Sequence, residues 1–254
     1  MVSVSYERKT NLRQGGRRKA LRRRKAGTMR LTIFGATGGT GTCLAQQALA
    51  AGHEVTAVVR DQARLTVRPS KPAQPKPAVS KPAADDGLRV ITADPMDPAA
   101  IITAVAGADA VLTAIGPRGT GVTTVSQDSV RSIIAAMQKT GARRLLTVSG
   151  SIVADEGESP YLRYLIKPVA RCTFLRHVCA DMRAAEAEVE ASGLDWTIMR
   201  PPGLSSKPAT GHYRTSIDGG LPRSLTVPRA DLAACMLAAI GNQATLRKHV
   251  AIAN

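Results

Sequence analysis

The residue types of this chain prescribe a chemistry most plainly in the run Gly35-Ala36-Thr37-Gly38-Gly39-Thr40-Gly41. It follows a β-prone stretch, Arg30–Phe34, and opens a helical pattern over 39–51, the context in which a glycine motif carries information. In such a strand–loop–helix unit the first glycine, Gly35, allows a tight turn. The second, Gly38, lets the backbone approach a pyrophosphate, and Gly41 lets the helix pack close against the strand. Backbone N–H groups at the helix start, around Gly39, then face the phosphates. The hydroxyls of Thr37 and Thr40 add donors. The chemistry implied is the holding of a dinucleotide by its pyrophosphate. Arg60 ends the next strand-like run, Glu54–Val59, about 20 residues beyond the loop. A carboxylate at that place serves the ribose hydroxyls of NAD, whereas a guanidinium suits the 2′-phosphate of NADP. Asp61 follows, one residue off the strand end. The expected cofactor is NADP (NADPH).

Three further places belong to the same constellation. Asp94 follows the third strand and is expected beside the adenine. Gly116-Pro117-Arg118 follows the fourth and should pass near the nicotinamide. Arg118 there either holds a phosphate or an acidic substrate or is an ordinary surface arginine. Ser149 closes the fifth strand, where a hydroxyl can orient a substrate carbonyl or the nicotinamide amide, and it is the candidate catalytic residue. The histidines His53, His177, His212 and His249 show no ligand-like partners, although His212 beside Tyr213 could approach a substrate. The cysteines Cys43, Cys172, Cys179 and Cys235 lack metal-binding spacing, so no metal is expected. The thiols read as small buried groups in a reducing compartment, the cytoplasm.

The elements that must position these groups alternate regularly. Strands are expected at 30–34, 54–59, 88–92, 109–115 and 144–149, with helices at 39–51, 97–106 and 126–139. Such alternation implies a parallel sheet with right-handed crossovers, and the near-continuous apolar character of the strands implies burial on both faces. The fold class is therefore α/β, a Rossmann-type doubly wound parallel sheet of order 3-2-1-4-5-6 with helices on both faces. Ligands are expected at the carboxyl ends between strands 1 and 4. Residues 161–176 are amphipathic and basic. A helix at 180–191, a sixth strand at 196–199, a helix at 229–240 and a last strand at 250–253 follow. Residues 155–254 are expected to complete the sheet edge and cover the substrate side without a core of their own.

Charge separates the domain from its flanks. The 254 residues carry a net +16, but residues 1–28 alone hold ten Lys/Arg against Glu7. That basic tail cannot bury enough surface to order itself and is expected to be disordered. It reads as a nonfunctional extension before Met29, a weak polyanion-binding arm or a targeting peptide. One NAD(P)-binding domain, 29–254, follows. It is interrupted at 67–86 by a Pro/Lys-rich surface insertion that includes Pro69, Pro72, Pro75, Pro77 and Pro82. Aromatic residues are only 3% of the chain, which leaves little for stacking against nucleic-acid bases. The longest apolar runs fall short of the 18 residues a membrane span needs.

Leu31–Gly41, Glu54–Asp61 and the segment Ser192-Gly193-Leu194-Asp195-Trp196-Thr197-Ile198-Met199-Arg200-Pro201-Pro202 together resemble the atypical short-chain dehydrogenases. Within these the chain is most similar to the NAD(P)H-binding, NmrA-like group that includes biliverdin-IXβ/flavin reductase. The resemblance runs from Met29 to Ile240 apart from the insertion. It implies that Thr37, Gly38, Thr40, Arg60, Asp94, Gly116, Arg118 and Ser149 contact NADP or flank the nicotinamide, with Pro201 of the paired prolines counted among the cofactor-binding residues. The Tyr-x-x-x-Lys pair of ordinary short-chain dehydrogenases is missing. Tyr161 has Leu165 at the lysine position, and Tyr164 and Lys167 are three apart. The flavin reductase's active-site histidine, which follows the paired prolines, is replaced by Gly203. Two functions follow as expectations. One is hydride transfer from NADPH to a small planar acceptor such as a flavin or quinone, where positioning supplies much of the rate. The other is a non-catalytic NADP-binding redox sensor acting on a protein partner.

Overall fold

The computed structural model describes residues 27–67, 87–154, 175–221 and 225–254. The basic run through residue 26, the insertion from 68 to 86, and residues 155–174 with Tyr161, Tyr164, Lys167 and Cys172 lie outside them.

Apolar side chains on both faces of short strands require two covering layers, and the chain supplies them from alternate crossovers. Strand β1 (Arg30–Phe34) leads into helix α1 (Gly39–Ala50), then β2 (Glu54–Val59), β3 (Leu88–Thr92), α2 (Pro98–Val105) and β4 (Ala110–Thr113). Helix α3 (Val125–Thr140), β5 (Arg144–Val148), α4 (Arg176–Ala191) and β6 (Asp195–Arg200) follow. The chain ends with β7 (Gly203–Ser205), β8 (Arg214–Ile217), β9 (Thr226–Pro228), α5 (Arg229–Ala239) and β10 (Lys248–Ala253). The main sheet has the order β3-β2-β1-β4-β5-β6-β10-β8. The expected 3-2-1-4-5-6 order is present, extended by β10 parallel to β6 and by β8 antiparallel at the edge.

Leu31, Ile33 and Leu146 face one core, built with Leu44 and Ala48 of α1 and Leu232 and Met236 of α5. Phe34, Val111 and Leu145 face the other, with Ile101 of α2, Ile133 and Met137 of α3, and Val189 of α4. Each such large apolar side chain, fully withdrawn from water, contributes roughly 1.5–3 kcal/mol. Helix ends follow local chemistry. Asp97 caps α2 through its carboxylate and Ala99 N–H, with Pro98 at the first turn. Gly141 closes α3 in the left-handed conformation, its N–H donating to Met137 O.

Two polar crosslinks join elements that sequence leaves apart. Arg144 is buried, and its guanidinium donates to Ile240 O, Ala239 O, Asp195 O and Thr245 Oγ1. It thereby caps the carboxyl end of α5. Burial pushes Arg144 down to about 10, so it remains charged at neutral pH. The Asp181 carboxylate of α4 accepts from Ser126 N and Gln127 N at the start of α3, a favourable placement of negative charge at a helix N-terminus.

The differences from expectation are local. Helix α4 starts at Arg176 rather than at 180. Strand β4 stops at Thr113, short of the expected Ile115; Ala114 N–H still donates to Phe34 O, but the ladder with β1 ends there. Val67, assigned to the surface insertion, is buried in the first core. The small β7–β9 ladder and the edge strand β8 went unanticipated. They are three or four residues long and, in β8, almost wholly exposed, so no apolar alternation marks them. Among the described residues no helix is long and apolar enough to cross a membrane.

Candidate functional site

The connections leaving the sheet split to either side where its order reverses, at the paired strands β1 and β4, and the site is built from what leaves those two strands. Past Phe34 the chain turns at Gly35, whose φ of +77° puts it in the left-handed region. A Cβ there would lie 2.9 Å from both C and O of Ala114, so β1 and β4 can approach this closely only with glycine. Gly38 N–H donates back to Gly35 O at 2.9 Å, and Thr42 N–H donates to Gly38 O at 2.8 Å. Gly41 faces the same carbonyl, with Gly35 O only 2.1 Å from the place a Cβ would take. Glycine at these positions is thus a packing requirement of the loop itself. Among the described residues no side chain caps α1, and its first turn holds no acidic residue, so its leading amides can meet an anion.

A cleft of about 480 Å³ opens at this split. Gly35, Thr37 and Gly38 form its floor, Arg60 closes it beyond β2, and Gly116 and Arg118 flank it beyond β4. Six of the residues singled out from sequence therefore converge. The apolar walls come from Val58 and Val59 of β2, Pro95 and Met96 after β3, and Ile115 and Val122. Val122 is 84% exposed, an apolar side chain left at the mouth. Sequence reasoning missed these wall residues, since neighbours of a motif carry no signature of their own. Both Arg60 and Arg118 are exposed and available to phosphate.

Other predicted residues are not among those that line the cleft. Gly39, Thr40 and Gly41 form the first turn of α1, directly after the lining residue Gly38. Asp94 is exposed; its carboxylate accepts from Met96 N at 3.1 Å, so it shapes the turn that presents Pro95 and Met96. Pro201 is buried, and its carbonyl accepts from Ser151 N at 2.7 Å, tying the end of β6 to that of β5. Ser149 is 9% exposed and lines a small adjoining cavity with Ser126, Thr147, Met182 and Glu186. It shares only Ile115 with the cleft. Among the described residues its buried Oγ has no hydrogen-bond partner. Such a hydroxyl costs free energy until something bonds to it.

The histidines divide. His53 Nδ1 accepts from Met29 N, and His177 Nε2 accepts from Arg176. His212 and Tyr213 line a separate open groove with Arg214 and Asn254, away from the cleft. His249 corrects the expectation that no histidine has ligand-like neighbours. Its ring meets Trp196 edge-on at 5.3 Å, and Nε2 lies 3.0 Å from Glu190 Oε1. Glu186, Glu190 and His249 bring their donor atoms within 4.8 Å of one another. Arg200, however, holds the Glu186 carboxylate through two hydrogen bonds of 3.1 and 2.7 Å, and its fixed positive charge opposes a cation there. Burial pushes the thiols of Cys43 and Cys235 up, the latter to about 12. Cys179 and Cys235 are buried as expected, whereas Cys43 is half-buried.

A dinucleotide fits this arrangement on three counts: the glycine-crowded turn, an uncapped helix start without carboxylates, and a cleft with a guanidinium on each side. Comparisons with known proteins agree. An uncharacterized chloroplastic protein of Arabidopsis thaliana is 28% identical over 213 residues, covering 78% of this chain and 69% of that protein. A UPF0659 protein of Saccharomyces cerevisiae is 28% identical over 160 residues, and the match spans 66% of its length. Among solved structures, a Veillonella parvula short-chain dehydrogenase/reductase in complex with NADP superimposes with a TM-score of 0.70 at 18% identity, covering 89% of this chain and 94% of that one. ChuY, an anaerobillin reductase of Escherichia coli O157:H7, gives 0.65 at 24% identity, covering 88% and 96%. The family model described as NAD(P)H-binding matches residues 35–243, and the chain belongs to that family.

Proposed function

We propose that this protein is an NADPH-dependent oxidoreductase that passes hydride to a small planar acceptor, a flavin or a quinone. The observation that carries the proposal is the convergence of Gly35, Thr37, Gly38, Arg60, Gly116 and Arg118 on one cleft at the sheet's switch point. Thr37 and the amides that start α1, from Gly39 through Gly41, hold the pyrophosphate. Arg60 pairs with the 2′-phosphate, which makes NADP the preferred form. Arg118 and Gly116 border the nicotinamide end, and the buried Ser149 hydroxyl supplies a hydrogen bond once a carbonyl or amide reaches it past Ile115. When bound, the cofactor supplies the hydride, two electrons and a proton together, and solvent supplies the proton that completes reduction of the acceptor. The described lining of the cleft contains no Tyr, His, Lys or carboxylate, which suits an acceptor that needs placement more than acid–base help. The same lack of an acid–base group favours a second reading, an NADP-responsive sensor that binds a protein partner.

Loss of NADPH absorbance with FMN, riboflavin and a simple quinone tests the proposal. Turnover with any of them establishes a reductase. Tight NADPH binding with no turnover across the panel rejects it in favour of the sensor.

A further inference from the structure

Ser149 N–H donates to Met199 O at 2.8 Å, which fixes the residue between the ends of β5 and β6. The small cavity it lines measures about 10 Å³. A single water needs roughly 10–15 Å³ and two or more polar partners, so this is room for one water and nothing larger. The partners are present. The Ser149 Oγ is buried and, among the described residues, without a hydrogen bond. From α4 comes Glu186, only 7% exposed. Arg200 gives each of its carboxylate oxygens one hydrogen bond, at 3.1 and 2.7 Å. An ionised carboxylate offers about four acceptor sites, so both oxygens keep capacity for a further donor. Ser126 and Thr147 complete the polar part of the wall.

The cavity has a polar connection on one side and the cleft on the other. Outward, Glu190 lies one turn further along α4 with its side chain 46% exposed, and donor atoms of Glu186, Glu190 and His249 stand within 4.8 Å of one another. Inward, Ile115 lines both the cavity and the cleft. We infer that the cavity binds one water, and that this water joins Glu186 to Ser149 as a proton relay between solvent and the cleft. The inference rests on the proposed function for the reaction it serves; solvent remains the source of the proton, and the cavity is its route. When the acceptor receives hydride, the atom that gains negative charge takes the Ser149 hydroxyl proton. Ser149 Oγ takes one from the water, and the water takes one from the Glu186 carboxyl. Arg200 stabilises the carboxylate that remains, and solvent returns its proton by way of Glu190 and His249. One hydride and one proton reach the acceptor, and the protein ends as it began. A cleft lining without an acid is then no obstacle to proton delivery, because the acid stands one cavity behind it.

The first test is a high-resolution crystal structure of the unaltered protein. It should show one water within hydrogen-bond distance of Ser149 Oγ and a Glu186 carboxylate oxygen; a dry cavity overturns the inference. The second is turnover of NADPH with FMN and a simple quinone by Ser149→Ala, Glu186→Gln and the double variant. Each single variant should lose kcat by roughly 100-fold or more, the scale of acid–base assistance, with NADPH affinity unchanged. The double variant should lose no more than the worse single one, because residues that act as one unit are not additive. Multiplied losses, or an unchanged kcat in Glu186→Gln, refute the relay. Ala185→Val guards against a Glu186→Gln protein that does not fold. It adds two methyl groups to the cavity wall and leaves Ser149, Glu186 and Arg200 in place. It should expel the water and lower kcat in the same way, and full turnover with the water gone refutes the relay as well. Failure of the proposed function is read separately. A wild type that binds NADPH and reduces nothing sinks that function and the relay with it, while the crystal structure alone decides the water site.

Discussion

Substituting Gly41 by alanine places one methyl group at the tightest point of the cofactor loop. The added Cβ would lie 2.1 Å from Gly35 O, 2.6 Å from Gly35 C and 2.9 Å from Ala36 Cα, where ordinary contact begins at 3.4 Å. All three neighbours are backbone, so the clash cannot be relieved by a rotamer change. The turn or the helix must move by about 1.3 Å, the shortfall against that 3.4 Å. Overpacking of this sort costs about 1–3 kcal/mol, and a rigid backbone target puts the cost at the top of that range. For a domain of this size the melting temperature should fall by roughly 6–12 °C. Gly35 O also receives the Gly38 N–H, so the displacement pulls the phosphate-facing amides out of line. Losing two charge-assisted hydrogen bonds at about 1.5 kcal/mol or more each weakens NADPH by over ~100-fold. Fluorescence titration with NADPH, beside thermal melts and circular dichroism, reads both effects. A Gly41→Ala protein that binds NADPH within about threefold of wild type, the spread expected from a contact of no consequence, would refute the claim that glycine is required for this loop.

Gly116 gives the converse case. A Cβ there meets nothing within 4 Å, so Gly116→Ala should melt like wild type and lose NADPH affinity only because the ligand itself comes close. Unchanged affinity would place the nicotinamide elsewhere. Arg60→Ala should weaken NADPH by about 10- to 100-fold and leave NADH nearly untouched; equal loss of both in competitive titrations would remove the basis for NADP preference. Arg144→Met leaves the carbonyls of Ile240, Ala239 and Asp195 without their donor and should cost about 3–5 kcal/mol, or roughly 10 °C in melting temperature. A drop of only a degree or two would mean that water replaces the guanidinium at once. For Asp231, burial raises the carboxyl pKa, but the backbone and hydroxyl of Thr210 and the backbone of Gly211 outweigh it and hold the group below the ordinary value. A carboxylate depressed on folding stabilises above its unfolded pKa of about 3.9, and that contribution is lost as pH falls through the lower folded value. Melting temperatures of wild type and Asp231→Asn should therefore converge below about pH 4, and a gap that stays constant with pH would contradict this.

How far the chain could be read beforehand follows from the range over which each signal acts. β1, β2 and β3 appear at the residues their apolar runs mark; burial on both faces is written into β1 and β2, while β3, a half-exposed edge strand, was legible from its β-branched residues. The glycine loop was legible for a similar reason: its requirement spans seven consecutive residues and one turn. Arg60 was reachable because it follows a strand whose end, Val59, was already located; Arg118 was reachable through the Gly116-Pro117 turn, although β4 ends at Thr113 rather than Ile115. Ser149 follows the end of β5 at Val148 as expected, but its cavity, which meets the cleft at Ile115 beyond the end of β4, was not legible because residues distant in sequence line it. The crossing of Arg229 over Gly39, where a Cβ would lie 2.6 Å from the Arg229 Cδ, was invisible for a stronger version of the same reason. Its meaning depends on Gly39, 190 residues earlier, and on two helices meeting across one core. Nothing in the sequence Val227-Pro228-Arg229-Ala230-Asp231 distinguishes that arginine from a solvated helix start. The two glycines of the first turn illustrate the limit. Gly41 is required by its own loop, five and six residues away, and could be argued from spacing. Gly39 stands bare beneath a side chain from the far end of the fold, and only the packing of α5 on α1 makes that constraint appear.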